Sequence, residues 1–167
     1  MSKKVSIIIP IRNEENYIKQ CIESVLEQDY PKKDMEILLV DGMSTDKTRE
    51  ILKYYITQYD FIQLIDNVNI TTPFAMNIGI ENSTGEYIIR LDAHSVFPPN
   101  YVRKCVETLD TIDADVVGGL AITKGRNKFG KVVAKLLSSP FGVGNSKFRT
   151  YGKSGYVDTV PFGAFRR

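Results

Sequence analysis

Cysteine is scarce in this chain: Cys21 and Cys105 are the two in 167 residues. They lie far apart, each among apolar residues at helical spacing. That excludes a disulfide framework and reads as buried thiols of a reducing compartment. Long apolar runs are missing too. None approaches the roughly 18 to 20 residues of a membrane span, and the opening MSKKVSIIIPIRNEE reaches a charge too soon after its apolar run for a signal peptide. The chain as given is therefore expected to be soluble and cytoplasmic. Acid is nearly absent from the last quarter: residues 120–167 carry 10 Lys and Arg against one acid, Asp158, whereas residues 1–119 carry 12 against 19. Such a basic block faces a phosphate-bearing ligand, an acidic membrane surface or nucleic acid, or else is a solvated face that balances the acidic first part. Nucleic acid fits least, because no recognition helix or regular interleaving of aromatics accompanies the charge. Two nucleotide signatures are also lacking. No G-x-G-x-x-G follows the first apolar run and no G-x-x-x-x-G-K-[ST] occurs, which counts against a dinucleotide dehydrogenase and a P-loop enzyme.

What remains is an ordinary globular composition, 43% hydrophobic and 25% charged with net charge +2, long enough to bury a core as one domain. Near-continuous apolar runs, VSIIIPI (5–11) and EILLVD (36–41), have the pattern of strands covered on both faces. Between them Ile18, Cys21, Ile22, Val25 and Leu26 follow helical spacing, with Asn13 as a candidate cap and Pro31 beyond. A second helix starts near STDKT, capped by Ser44, Thr45 or Asp46, with Ile51, Leu52, Tyr55, Ile56 and Tyr59 inward; the strand FIQLID follows. Thr72-Pro73 starts a third helix, EYIIRLD (86–92) forms the next strand, and Pro98-Pro99 opens a helix with Val102, Cys105, Val106 and Leu109 inward. A buried strand DVVGGLA is expected next. After it comes a helix marked by Phe129, Val132, Val133, Leu136 and Leu137, and then a long glycine-rich basic loop, FGVGNSKFRTYGKSG. Repeated β-α alternation predicts a three-layer α/β/α sandwich with a mainly parallel sheet.

Ligands of such sheets sit beyond the carboxyl ends of the strands. Arg12-Asn13-Glu14-Glu15, Asp41-Gly42-Met43-Ser44 and Asp92-Ala93-His94 follow three of those ends. Asp41 is placed to accept the imide proton of a uracil, with Gly42 allowing close backbone approach; equally, Asp41 and Ser44 cap the next helix. Asp92 ends an apolar strand, where a carboxylate needs water, a partner or a metal. Beside a diphosphate it would help hold a divalent cation. His94, two residues on, is a second ligand, a phosphate contact, or purely structural.

The set VSIIIPIRNEENYI, EILLVDGMSTDKT, PFAMNIGIENSTGEYIIRLDAHS and DVVGG, in this order and spacing, resembles the family 2 glycosyltransferases. Its DAH form is most similar to the succinoglycan-biosynthesis subgroup. The resemblance covers essentially the whole chain and implies the glycosyltransferase-A fold, of the nucleotide-diphospho-sugar transferase type. It implies a hexosyltransferase-type enzyme that passes a sugar from a nucleotide-diphosphate donor, usually UDP-linked, to a saccharide or lipid-linked acceptor in polysaccharide or exopolysaccharide biosynthesis, with inversion. By position it assigns Pro10, Arg12, Asn13 and Glu14 to the nucleotide, Asp41 to the base, and Ala75 and Asn77 to the donor pocket. Asp92-Ala93-His94 takes the place of the D-x-D metal motif, with Asp92 and His94 as ligands of Mn2+ or Mg2+; the histidine suits manganese better. The acidic segment that supplies the family's general base does not appear before Arg167. The resemblance thus implies a single domain truncated at its C-terminus, with residues 1–122 binding nucleotide sugar and 123–167 starting the acceptor side. The catalytic base is expected beyond Arg167, and Asp158 is a poor substitute for it. Lys147, Arg149 and Lys153 would lie over the diphosphate, face a lipid-linked acceptor, or form a solvated basic loop. Peripheral association with the inner face of a membrane is also expected. Two other readings stay open: a non-catalytic nucleotide-sugar-binding fragment, and a sugar nucleotidyltransferase. The second is disfavoured by the glycine-poor, acidic turn IRNEEN where a triphosphate loop would be needed.

Overall fold

The computed structural model of the chain describes residues 4–125, 127–144, 146–150, 154–157 and 159–167. Among them, four strands carry the parallel part of one sheet: β1 (Val5–Ile11), β2 (Met35–Asp41), β3 (Ile62–Asp66) and β4 (Tyr87–Arg90). Two short strands, β5 (Val116–Val117) and β6 (Ala164–Arg166), complete the order β3-β2-β1-β4-β6-β5, with β6 antiparallel to both its neighbours. The helices are α1 (Ile18–Leu26), α2 (Thr48–Gln58), α3 (Thr72–Asn82), α4 (Tyr101–Thr111), α5 (Lys128–Leu137) and the short α6 (Pro140–Val143).

Alternation along the central strands explains the layers. Ile8, Leu38, Val40 and Ile88 share one face and pack with Ala75 of α3. Ile7, Ile9, Ile37, Leu39 and Ile89 point the other way and are also fully buried, so helices cover both faces. Helix α3 comes unusually close to the sheet at Gly79, where an added Cβ would lie 2.4 Å from Ile8 Cγ2. Beneath the amino ends of the strands, Glu36 accepts from Ser6 Oγ at 2.5 Å and from the Thr84 and Gly85 amides. Burial alone would raise its carboxyl, but the bonds from Ser6 and Thr84, with Lys4 nearby, hold it below the ordinary 4.5.

The chain divides into two compact units, Met1–Val117 with Ala164–Arg167, and Gly118–Gly163. The first contains the whole sheet. In the second, the Asn127 side chain caps α5 by accepting from Gly130 N at 2.7 Å, and Ala121 N donates to Phe148 O at 2.8 Å.

Two expectations are corrected. The strand foreseen over DVVGGLA is only Val116–Val117. At Gly118 a Cβ would fall 2.4 Å from Val160 Cγ1, so that glycine serves a close approach rather than a ladder. Asn13 does not cap α1, which begins five residues later. The helix marked by Phe129 and Val132 forms, but none of its residues is buried.

Candidate active site

Parallel register brings the strand ends level: Ile11 pairs with Asp41 and Asp41 with Asp66, while Leu91 N, just past β4, donates to Ile8 O at 3.0 Å. Carboxylates of Asp66, Asp41, Glu14 and Asp92 therefore stand along one edge of β3-β2-β1-β4. Three residues at that edge have left-handed backbone: Asn13 (φ 53), Met43 (φ 55) and Ile70 (φ 69). A β-branched residue there is costly, and its persistence means the surroundings enforce it. Gly42 is part of that enforcement. Its amide donates to Ile11 O at 2.7 Å, and a Cβ on it would sit 2.7 Å from Ile70 O.

The loops after β1 and β2 are laced together. Asn13 N donates to Ser44 Oγ (2.9 Å), Glu14 N to Thr48 Oγ1 (2.8 Å), Glu15 N to Asp46 Oδ2 (3.2 Å) and Thr45 N to Asn13 Oδ1 (2.8 Å). Asp46 Oδ1 also accepts from Thr48 N, but the cap residue of α2 is Lys47, not the Ser44, Thr45 or Asp46 expected. Asp41 is fully buried. Its carboxylate accepts from Ser44 Oγ (2.5 Å), Ser44 N (3.1 Å) and Arg49 Nη1 (2.6 Å). The same Arg49 nitrogen reaches Asp66 Oδ1 at 2.7 Å, so one guanidinium bridges the two neighbouring strand-end carboxylates and leaves the trio one negative charge. Asp41 and Ser44 thus close a local turn ahead of α2 rather than cap it, since the helix starts at Thr48 with Lys47 as its cap residue.

On the β4 side, Asp92 is partly exposed and its Oδ1 lies 3.2 Å from Arg90 Nη2. Arg90 Nε is buried with no hydrogen-bond partner. His94 Nδ1 lies 3.0 Å from Glu14 Oε1, joining the loops after β1 and β4. Beneath them Cys21 Sγ donates to Asp92 O. Burial first, then the carboxylates of Asp92 and Glu14, push this thiol up to about 12, so it stays protonated. Among the described residues no group of three His, Cys, Asp or Glu side chains is gathered for a metal. The pair Asp92 and His94 still has suitable donor chemistry. With Nδ1 against Glu14, Nε2 is the nitrogen available to an ion, the arrangement by which a carboxylate orients a ligand histidine.

Of the other residues singled out, Pro10 lies in β1 opposite Val40, Arg12 is exposed, Ala75 is in the core under α3, and Asn77 is exposed on α3. In the second unit Lys147 is exposed, and Arg149 lies over the Phe148 ring at 5.2 Å and reaches Thr123 Oγ1. Lys153 and Asp158 lie outside the described residues. Sequence reasoning missed Asp66, Arg49 and Arg90. A signal existed for Asp66: FIQLID ends in aspartate at a strand end, as EILLVD does.

Comparison with known proteins bears on the family and the fold. The model of "Glycosyl transferase family 2" matches residues 6–167. A dolichyl N-acetyl-alpha-D-glucosaminyl phosphate 3-beta-D-2,3-diacetamido-2,3-dideoxy-beta-D-glucuronosyltransferase of Methanococcus voltae is 34% identical over 96% of this chain and 52% of its own length. Succinoglycan biosynthesis protein ExoA of Rhizobium meliloti is 33% identical over 86% of this chain and 44% of its own, in line with the subgroup the DAH form suggested. The structure of S. aureus TarS 1-349 in complex with UDP-GlcNAc superposes with a TM-score of 0.62 at 26% identity, covering 75% of this chain and 36% of that one. The chain thus spans about half the length of the curated relatives it matches, or less. Its mainly parallel α/β sheet is that of the glycosyltransferase-A fold, and the chain belongs to glycosyl transferase family 2.

Proposed function

We propose that this chain carries the donor site of a glycosyltransferase that takes a sugar from a UDP-linked donor and passes it, with inversion, to a saccharide or lipid-linked acceptor in polysaccharide biosynthesis. The observation that carries this is the row of Asp66, Asp41, Glu14 and Asp92 along the carboxyl edge of four adjacent parallel strands. In this reading Asp41, buried against Arg49 and Ser44, accepts the imide proton of the base when the Ser44 turn gives way. Gly42, whose missing Cβ makes room for Ile70 O, fixes the loop beside it. Pro10, Arg12, Asn13 and Glu14 line the nucleotide and Asn77 the far wall, while Ala75, in the core, only seats the helix that carries Asn77. Arg90, whose side chain is partly exposed and whose Nη2 lies against Asp92 Oδ1, would meet phosphate with the outer end of its guanidinium. Asp92 and His94 would hold a divalent cation, manganese in preference to magnesium because one donor is a nitrogen. Bound there, the cation supplies charge neutralisation at the departing diphosphate. Residues 1–122 are the nucleotide-sugar part and residues 123–167 begin the acceptor side.

A sugar nucleotidyltransferase fits worse. Such an enzyme needs free amides after its first strand to cradle three phosphates, and here the amides of Asn13, Glu14 and Glu15 are spent on Ser44, Thr48 and Asp46. Thermal unfolding against a panel of UDP, GDP, ATP and inorganic phosphate tests the choice. A ligand at about 100 times its Kd adds about 2.7 kcal/mol, which for a chain of this size raises Tm by several degrees. UDP with Mn2+ should do so and ATP should not; a shift with ATP alone would reverse the assignment.

A further inference from the structure

Helix α5 carries two stripes offset by one residue. Lys128, Lys131 and Lys135 recur at i, i+3 and i+7, and so do Phe129, Val132 and Leu136. All six are exposed, Phe129 by 78% and Val132 by 67%. On the short α6 that follows, Phe141 is 97% exposed. Large apolar side chains in such a row need a reason. The charge of this stretch of sequence indicates what covers them: residues 118–163 contain eight Lys and Arg and a single acid, Asp158.

We propose that α5 lies flat in the surface of a bilayer rich in anionic headgroups, with Phe129, Val132 and Leu136 entering the acyl boundary and the three lysines reaching the headgroups. Lysine stems extend along apolar surface while their ammonium groups stay at the polar level, so stripes side by side suit an interface plane. An acidic protein groove would satisfy the lysines but not require a row of inserted apolar side chains. A second copy packing apolar row on apolar row would bring the lysine stripes into mutual repulsion. Among the described residues no helix is long and apolar enough to cross a membrane, so this contact is a surface one. It stands independently of the donor-site proposal, since no residue is shared.

The test is co-sedimentation of the whole chain with vesicles of phosphatidylcholine alone or with about 30% phosphatidylglycerol, at moderate salt. Binding to the anionic vesicles should exceed binding to neutral ones at least tenfold (~). Lys131→Gln with Lys135→Gln should lower it by roughly thirty-fold, from about 1 kcal/mol per lysine. Phe129→Ser should lower it about tenfold. The chain has no tryptophan, so Phe129→Trp gives a single reporter whose emission should shift to the blue on anionic vesicles. Tyr54→Trp, exposed on α2, should not shift. Equal binding to both vesicle types, unchanged emission at Phe129→Trp in bound protein, or self-association without vesicle binding would each overturn the proposal. These substitutions are at exposed positions, and circular dichroism of each variant verifies that the fold is kept.

Discussion

Asp41 and Asp66 show how differently two strand-end carboxylates behave when one is buried. Both share Arg49 Nη1, but water reaches Asp66 and not Asp41. Removing Arg49 leaves a buried charge uncompensated at Asp41, whereas removing Asp66 only loses a solvent-screened bond. Arg49→Ala is therefore expected to lower the unfolding free energy by about 2 kcal/mol or more, and Asp66→Asn by about 0.5 kcal/mol, as urea titration of both variants would measure. Equal losses would place the stabilising contact on the exposed side. Asp92→Ala should differ from both. The residue is partly exposed and its contact to Arg90 is long, so stability should change by less than about 0.5 kcal/mol, while any effect of Mn2+ on nucleotide binding disappears.

At the scale of elements, close packing and capping decide more than propensity. Gly79→Ala should be destabilising by about 1 to 3 kcal/mol despite alanine's better helix propensity, because its Cβ would meet Ile8 Cγ2 at 2.4 Å. Gly155→Ala, with open space around it, should be nearly neutral in the same melting experiment. Glu36 ties β2 to β1 and to the turn before β4, and its pKa is depressed. Its contribution is present above the unfolded value near 4.5 and is lost as pH falls through the lower folded value. Glu36→Gln should therefore flatten the acid limb of the stability curve below pH 4.5, seen by denaturant titration across that range. Much of this level was legible beforehand. Runs such as VSIIIPI announce two-sided burial, and the inward faces of α1 and α4 follow their apolar spacing: Ile18, Cys21, Ile22 and Val25, then Val102, Cys105, Val106 and Leu109, are buried, with Leu26 at the end of α1 half-buried. Less legible was whatever depends on distant partners. Asn13 looks like a cap by type, but the Ser44 hydroxyl and Thr45 amide that use it come from another loop. Arg49 looks like a surface residue of an amphipathic helix until register places Asp41 and Asp66 within its reach. The antiparallel β6, three residues long, carries too little pattern to announce itself.

For the whole molecule, the sheet and its carboxyl edge belong to one compact unit, and the basic helix α5 to the other. Nucleotide recognition and the membrane contact can thus be perturbed separately: substitutions in α5 should leave the nucleotide-induced rise in Tm unchanged, and Asp41 substitutions should leave vesicle binding unchanged. The most direct measurement is calorimetric titration of the chain with UDP and UDP-glucose, with and without Mn2+, beside Asp41→Asn and Asp92→Ala. Saturable, Mn2+-enhanced binding is expected, weakened about tenfold or more by Asp41→Asn through a lost base contact and stripped of its metal dependence by Asp92→Ala. A folded chain whose UDP affinity is the same in all three proteins would contradict a nucleotide site at the carboxyl edge of this sheet.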